Sequence, residues 1–163
     1  QLSDFNLMDL LNNVVLLHSK QAEDKQLTLI KQCQIPPELM VVHTDKEKVF
    51  SIFSNLVSNA IKFTAVGSVE LTCSLTSNRL TLSVKDTGVG IASHKQTTIF
   101  ERFVQGDISH NRPYEGSGLG LAITKSYVDM LGGTISLESE EGKGSVFRVF
   151  IPIKQAEQLA QRV

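Results

Sequence analysis

The chain has 163 residues, 41% of them hydrophobic, which suffices for one compact core and is too little for two domains. Lys and Arg number 16 against 17 Asp and Glu, so no long-range field draws the whole molecule to nucleic acid or to an anionic membrane, and any polyanion it binds is held locally. No apolar run approaches the roughly 20 residues that cross a bilayer, and the first residues lack the pattern of a signal peptide. Cys33 and Cys73 fall in separate strand-like segments with no CxxC and no nearby His, which argues against a metal centre and for buried thiols in a reducing compartment.

Residues 6–22 place Leu7, Leu10, Leu11, Val14, Leu17 and Ala22 near helical spacing, with Asn6 and Asp9 suited to the first turn of an amphipathic helix. Residues 27–33 and 39–44 read as short strands, and Pro36-Pro37 between them forbids one continuous ladder. A second helix spans 45–63 with Asp45 as its N-cap. Val69, Leu71, Cys73 and Leu75 alternate in 68–76, as do Leu80, Leu82 and Val84 in 80–84, making a hairpin about Ser77-Asn78. Residues 88–118 are aperiodic apart from an apolar island at Ile99, Phe100, Phe103 and Val104, and a loop this long in a compact domain is usually functional or mobile. A third helix, 119–131, stops at Gly132-Gly133, and strands 134–140 and 145–153 close the domain around the turn from Glu141 to Gly144. The last residues are polar enough for a linker or frayed helix, so the domain is expected over 1–154 with a tail at 155–163. Strands and helices do not alternate as in a doubly wound fold. The pattern predicts an α+β protein, a two-layer α/β sandwich with helices on one face of a mixed sheet.

On the second helix, Val49, Ile52, Phe53, Leu56, Ala60 and Phe63 cover an arc of roughly 100°, the width of a core-facing stripe. Asn55, Asn59 and Lys62, spaced four and then three apart, form one ridge beside it. Any one of them taken singly reads more readily as the solvated edge of a helix. Three in line weaken that account, because asparagine is a poor helix former and two of them need a compensating role. A carboxamide oxygen suits Mg²⁺ and an ammonium suits phosphate, so the ridge is equipped for the triphosphate end of a nucleotide.

Residues 80–84 run into Lys85-Asp86-Thr87-Gly88-Val89-Gly90, a carboxylate at a strand end followed by glycines that allow close backbone approach. A carboxylate only accepts hydrogen bonds, so Asp86 would take the exocyclic amine of adenine and repel the O6 of guanine, selecting ATP over GTP. An ordinary turn explains the same Asp-Thr-Gly equally well. Gly116-Ser117-Gly118-Leu119-Gly120 opens the third helix, where unpaired backbone N–H groups bind phosphate. A dinucleotide fingerprint fails because the position after Gly88 and Gly90 is Ser93 and aperiodic loop follows, which disfavours an oxidoreductase; a P-loop fails because Gly142-Lys143-Gly144-Ser145 lies in a hairpin turn.

In this order and at these separations, NLVSNAIKFT (55–64), DTGVGI (86–91), IFERF (99–103) and GSGLGLAI (116–123) resemble the N, G1, F and G2 boxes of sensor histidine kinases. The resemblance covers roughly residues 5–154 and is to the catalytic and ATP-binding domain of a bacterial sensor kinase, with FVQGD (103–107) and the later Arg112 pointing to the hybrid type, within the GHKL superfamily shared with gyrase and the mismatch-repair ATPases. It implies a Bergerat-type sandwich with ATP between the second helix and a lid. By position it makes Asn59 the Mg²⁺ ligand, Asn55 its supporting neighbour, Lys62 a phosphate contact and Asp86 the adenine selector. Gly88, Gly90, Gly116, Ser117, Gly118, Leu119 and Gly120 would shape the adenine and phosphate loops, with Phe63 flanking the base. Phe100 and Phe103 match the F box, and hydrophobic anchoring of the lid accounts for them equally well. Arg102 and Arg112 are candidates for the γ-phosphate, and Ser145 resembles the family's small hydroxyl residue near adenine. Ala92 departs from the family, in which many members have proline there.

Gyrase-type members carry a glutamate one turn before the magnesium asparagine, and Asn55 stands at that position. A carboxamide cannot take a proton, so transfer to a protein nucleophile is expected over hydrolysis. His18, His43, His94 and His110 are followed by Ser, Thr, Lys and Asn and read as surface or loop residues; none matches the family's phosphoacceptor. The resemblance therefore implies a catalytic half that binds Mg-ATP and phosphorylates a histidine on a separate dimerisation hairpin, with a response regulator or receiver domain downstream and a cytoplasmic location. The alternatives are an ATP hydrolase of the same superfamily and a degenerate nucleotide-binding module.

Overall fold

The structure, a computed structural model, describes residues 1–100 and 115–155, with side chains placed for all of these except 115–119 and 154–155. In chain order the elements are β1 (Leu2–Asn6), α1 (Leu7–Asp24), β2 (Thr28–Gln34), a 3-10 turn (Pro37–Leu39), β3 (Val41–Asp45), α2 (Lys46–Lys62), β4 (Ser68–Thr76) and β5 (Arg79–Asp86). They continue with a short α3 (Ser93–Gln96), α4 (Glu115–Met130), β6 (Thr134–Glu140), β7 (Gly144–Pro152) and β8 (Lys154–Gln155).

The caps form as their residue types dictate. Asn6 Oδ1 accepts the Asp9 N–H at 3.0 Å to start α1, and Asp45 Oδ1 accepts the Lys48 N–H at 3.1 Å to start α2. At the far end of α2, Lys25 Nζ donates to the Ile61 and Lys62 carbonyls at 2.7 and 3.2 Å, placing a cation against the negative end of the helix dipole.

The main sheet has five strands in the order β2-β4-β5-β7-β6; β2 runs parallel to β4 and the remaining pairs are antiparallel, so the sheet is mixed, with the helices on one face. The proline pair does more than interrupt a ladder. It sends the chain from β2 in the main sheet to β3 in a separate three-stranded sheet, β1-β3-β8, whose outer strands are not apparent from the sequence pattern. β8 pairs Lys154 with His43 and Gln155 with Val42.

The core lies between the sheet and the helices. Val49, Ile52, Phe53 and Leu56 of α2 are fully buried with Val69 and Leu71 of β4, Leu80 and Leu82 of β5, and Val149 and Ile151 of β7. Two expectations for α1 are corrected. Leu17 is 60% exposed, whereas His18 is buried and its Nε2 pairs with Ser54 Oγ of α2 at 2.7 Å. The inward arc runs 7, 10, 11, 14 and 18, so the histidine occupies the core position, and burial pushes its pKa below the ordinary value, which favours the neutral ring. His43 lies on β3, near the surface, where its Nδ1 meets Asp4 Oδ1 of β1 at 2.7 Å.

Cys33 and Cys73 are register partners on β2 and β4, with Sγ atoms 3.0 Å apart and no disulfide between them. Burial pushes the Cys73 thiol far above its ordinary pKa. Among the described residues, no helix is long and apolar enough to cross a membrane.

Because Phe53 is fully buried where α2 meets the sheet, Phe53→Ala is expected to lower stability by about 3–5 kcal/mol. The loss would be read as a fall in the denaturant midpoint with an unchanged slope.

Candidate functional site

Packing α2 onto the sheet divides its polar ridge by depth. Asn59 is buried, Asn55 half-buried and Lys62 exposed in the last turn. Asn59 carries, among the described residues, a buried side-chain nitrogen, Nδ2, that has no hydrogen-bond partner. An orphaned buried polar group costs about 1–3 kcal/mol, which a helix interior does not repay. A half-turn of the carboxamide exchanges nitrogen and oxygen, so the same position offers either a donor for a phosphate oxygen or a neutral oxygen for a hard cation. These donors fit a magnesium–phosphate pair, because Mg²⁺ is held by few protein groups together with substrate phosphates and water.

The second part of the site is built at the end of β5. The register sets Asp86, Ser145 of β7 and Ser139 of β6 side by side on one rung. It lies directly beyond the apolar rung of Val84, Phe147 and Leu137 and on the same face, since side chains two residues apart share a face. Asp86 is 7% exposed. Burial raises its pKa, and the backbone N–H groups of Gly88 and Ser145, which donate to the carboxylate, work against that shift.

The loop that follows is held from both sides. The Val89 N–H donates to the Phe63 carbonyl at 3.1 Å, tying the loop to the end of α2, and the Gly142 N–H donates to the Val89 carbonyl at 2.7 Å, tying it to the β6–β7 turn. Phe63 N–H in turn donates to the Asn59 carbonyl at 3.1 Å, so the carboxylate end and the carboxamide ridge share one connected backbone. Both predicted glycines are required by this approach. A Cβ on Gly88 would stand 2.2 Å from the Phe63 carbonyl oxygen, and one on Gly90, which has φ +72°, 2.1 Å from the Glu140 carbonyl oxygen.

Of the remaining predicted residues, Phe63 is half-buried at the C-cap of α2, and Gly120 lies in α4 with open space where a Cβ would stand. α4 begins at Glu115 rather than at 119, so the glycine run occupies its first turns instead of preceding it. Apolar periodicity starts only at Leu119, which is why the sequence pattern misses those turns. Phe100 packs edge-on against Phe147, with ring centroids 5.9 Å apart, which accounts for it as an apolar anchor. Arg102, Phe103, Arg112 and His110 lie outside the described residues, as do the side chains of Ser117 and Leu119; Gly116 and Gly118 are described only as helical backbone.

Sequence reasoning passed over Ser139 and Gln96. Ser139 Oγ accepts the Ile91 N–H at 2.7 Å and meets Ser145 Oγ at 2.8 Å, while Gln96 Nε2 donates to the Ile91 and Ser139 carbonyls at 2.8 and 3.2 Å. One is a small polar residue on an alternating strand and the other the last residue of the one-turn α3. Neither carries a signal until the strand register is known.

Asp86 generates a prediction about pH. Its pKa is raised on folding, so the folded state holds the proton more tightly than the unfolded chain. The buried charge therefore costs stability at neutral pH, and that cost is relieved as pH falls through the raised pKa toward the ordinary carboxylate range. Asp86→Asn is expected to unfold at or above the wild-type midpoint at pH 7, with the difference shrinking toward pH 4, in thermal melts across that range.

A family profile for histidine kinase-, DNA gyrase B- and HSP90-like ATPases matches residues 44–155. The chain is 41% identical over 160 residues to the autoinducer 2 sensor kinase/phosphatase LuxQ of Vibrio vulnificus, covering 94% of this chain and 19% of LuxQ. It is 42% identical over 151 residues to the circadian input-output histidine kinase CikA of Thermosynechococcus vestitus, covering 92% of this chain and 21% of CikA. It thus spans about a fifth of the length of these curated relatives. Among solved structures, full-length ShkA in complex with AMPPNP superposes with a TM-score of 0.80 at 33% identity, over 96% of this chain and 32% of that one. The nucleotide-free catalytic domain of histidine kinase ThkA superposes with a TM-score of 0.77 at 27% identity, over 93% and 95% of the two chains. Matched over most of its length to that profile, the chain belongs to the family of histidine kinase-, DNA gyrase B- and HSP90-like ATPases.

Proposed function

We propose that this chain is the catalytic half of a sensor histidine kinase: it binds Mg-ATP and passes the γ-phosphoryl group to a histidine on a separate dimerisation hairpin. The observation that carries the reading is the buried Nδ2 of Asn59, without a hydrogen-bond partner among the described residues, one helical turn from a loop that begins at the buried carboxylate of Asp86. The likeness to named histidine kinases, and to a kinase solved with an ATP analogue, supports it.

Asp86 accepts the exocyclic amine of adenine, and Gly88 and Gly90 let the loop beside it pack directly against the carbonyls of Phe63 and Glu140. Phe63 flanks the base. Asn59 holds the metal and Lys62 contacts phosphate, with Arg102, Arg112 and the Gly116–Gly120 run completing the phosphate end. Magnesium, when bound, neutralises phosphate charge and orients the γ-phosphoryl group. Asn55 supports Asn59 and, being an amide, cannot deprotonate a water, so the site favours transfer to an external nucleophile over hydrolysis. Positioning and charge neutralisation supply most of what phosphoryl transfer needs.

None of the four histidines has the sequence neighbours of an acceptor, and His18 is committed to Ser54, so the nucleophile comes from the hairpin. The domain occupies 1–154 with a tail at 155–163. It works in the cytoplasm, with a response regulator or receiver domain downstream.

Mixing the chain with the phosphoacceptor hairpin, Mg²⁺ and γ-labelled ATP is expected to yield acid-labile phosphohistidine, lost in Asn59→Ala. Steady phosphate release without phosphohistidine, itself abolished by Asn59→Ala, would establish a hydrolase instead. In calorimetry, Asp86→Asn is expected to weaken ATP at least tenfold, since a hydrogen bond to a charged group contributes about 1.5–3 kcal/mol.

A further inference from the structure

We infer that Cys33 and Cys73 form an oxidant-sensitive dithiol site: a hydroperoxide that reaches Cys33 converts the pair into a disulfide, which fastens the edge strand β2 to β4. The site stands apart from the nucleotide pocket, since Cys73 pairs with Leu82, four residues before Asp86 along β5.

The sheet brings the two thiols together. β2 and β4 run parallel, and Cys33 and Cys73 stand opposite one another in their register. Neighbouring strands lie about 4.7–4.9 Å apart, within the span of about 4.4–6.8 Å between Cα atoms that a disulfide bridges. Both side chains lie on the face toward the core: Cys73 continues the inward alternation of Val69 and Leu71 on β4, and Cys33 that of Leu29 on β2. Their Sγ atoms are already 3.0 Å apart, so a bond of about 2.0 Å asks each sulfur to move by only about half an ångström.

Exposure assigns the two sulfurs different roles. Cys73 is 1% exposed, and burial holds its thiol in the protonated form, so it does not react first with an oxidant in solvent. Cys33 is partly exposed and lies on a strand that, among the described residues, pairs on one side alone. The Cys73 thiol donates its hydrogen to Cys33 Sγ, which places it against the sulfur it is to attack. On its other side Cys33 Sγ meets Met40 Sδ at 3.4 Å, a thioether that forms no disulfide. The chain has two cysteines, so Cys73 is the sole intramolecular partner.

The chemistry proceeds in two steps. Cys33 sulfur attacks a peroxide oxygen, the O–O bond breaks, and Cys33 becomes a sulfenic acid while the second oxygen leaves with the thiol proton as water or an alcohol. Cys73 sulfur then attacks Cys33 sulfur; the S–S bond forms, the S–O bond breaks, and the hydroxyl departs as water with the Cys73 proton. The two thiols lose two electrons and two protons, and the hydroperoxide takes up both. A thiol reductant restores the pair by exchange at Cys33, the accessible sulfur.

The test is to treat the folded chain with hydrogen peroxide, denature and alkylate it, and weigh its peptides before and after dithiothreitol. The expected product is a linked pair of Cys33 and Cys73 peptides, lighter than the two thiol peptides by two hydrogens and alkylated at neither sulfur, with both thiols recovered on reduction. Cys73→Ala is expected to leave Cys33 carrying oxygen, and Cys33→Ala to leave Cys73 unmodified. The oxidised domain is expected to melt roughly 5–10 °C above the reduced one, because the crosslink closes a 40-residue loop. In wild type, alkylation of both cysteines after peroxide, oxygen on Cys33 beside a free Cys73, or a link between separate chains would overturn the site, and none of these readings depends on a variant that folds. Oxidation of Cys73 in Cys33→Ala would overturn the order of attack. A linked pair that melts no higher than the dithiol would overturn the fastening of β2.

Discussion

The burial of helix α2 against the main sheet is the contact on which the site depends. Val49, Ile52, Phe53 and Leu56 fix the rotation of the helix about its own axis, and that rotation sets how deep its polar ridge lies. Asn59 is carried into the rim of the core, Asn55 rests halfway out, and Lys62 remains in solvent. The gradient matches the needs of a phosphorylated ligand, with an amide where water is excluded and a mobile ammonium where it is not. It also accounts for a local fault, a buried amide nitrogen with no partner among the described residues. Groups left unsatisfied in a native core are where a ligand is to be sought.

The sheet makes an analogous division along its strands. Val84, Phe147 and Leu137 form the last apolar rung, and Asp86, Ser145 and Ser139 the polar rung after it. Burial raises the pKa of Asp86, so the protein gives up stability at neutral pH to keep a carboxylate in a half-dry setting. In the proposed adenine site, that setting would give a hydrogen bond from the base its strength and selectivity, since water would otherwise compete for the same oxygen atoms. Stability and recognition pull in opposite directions at this position.

Between helix and sheet runs the loop from Gly88 to Ile91, clasped by Phe63 on one side and by the β6–β7 hairpin on the other. Its glycines are chosen for contact distance: carbonyl oxygens stand where a Cβ of Gly88 or Gly90 would be. Ser139 and Gln96 complete the clasp from β6 and α3. The result is a site whose walls belong to different elements yet are joined by a short run of backbone hydrogen bonds. A change at one wall is therefore felt at the other.

Much of this was legible in the residues alone. The period of 3.6 along 45–63 and the period of 2 along 68–86 are local consequences of backbone geometry, so α2, its Asp45 cap and the β4–β5 hairpin emerged with nearly their observed bounds. The Asn55, Asn59, Lys62 ridge followed from the same period, and the nucleotide motifs from their order and spacing. What the chain did not disclose depends on pairing between distant segments. The sequence pattern places neither β1 nor β8, because each gains its hydrogen-bond partners only from β3. His18 rather than Leu17 faces inward because α1 must fit against α2 and Ser54. Ser139 acquires meaning only when β6, β7 and β5 align it with Ser145 and Asp86. Periodicity is carried by neighbouring residues, whereas register, depth of burial and the partner of a hydroxyl are set by atoms far away along the chain, and only the folded arrangement could decide them.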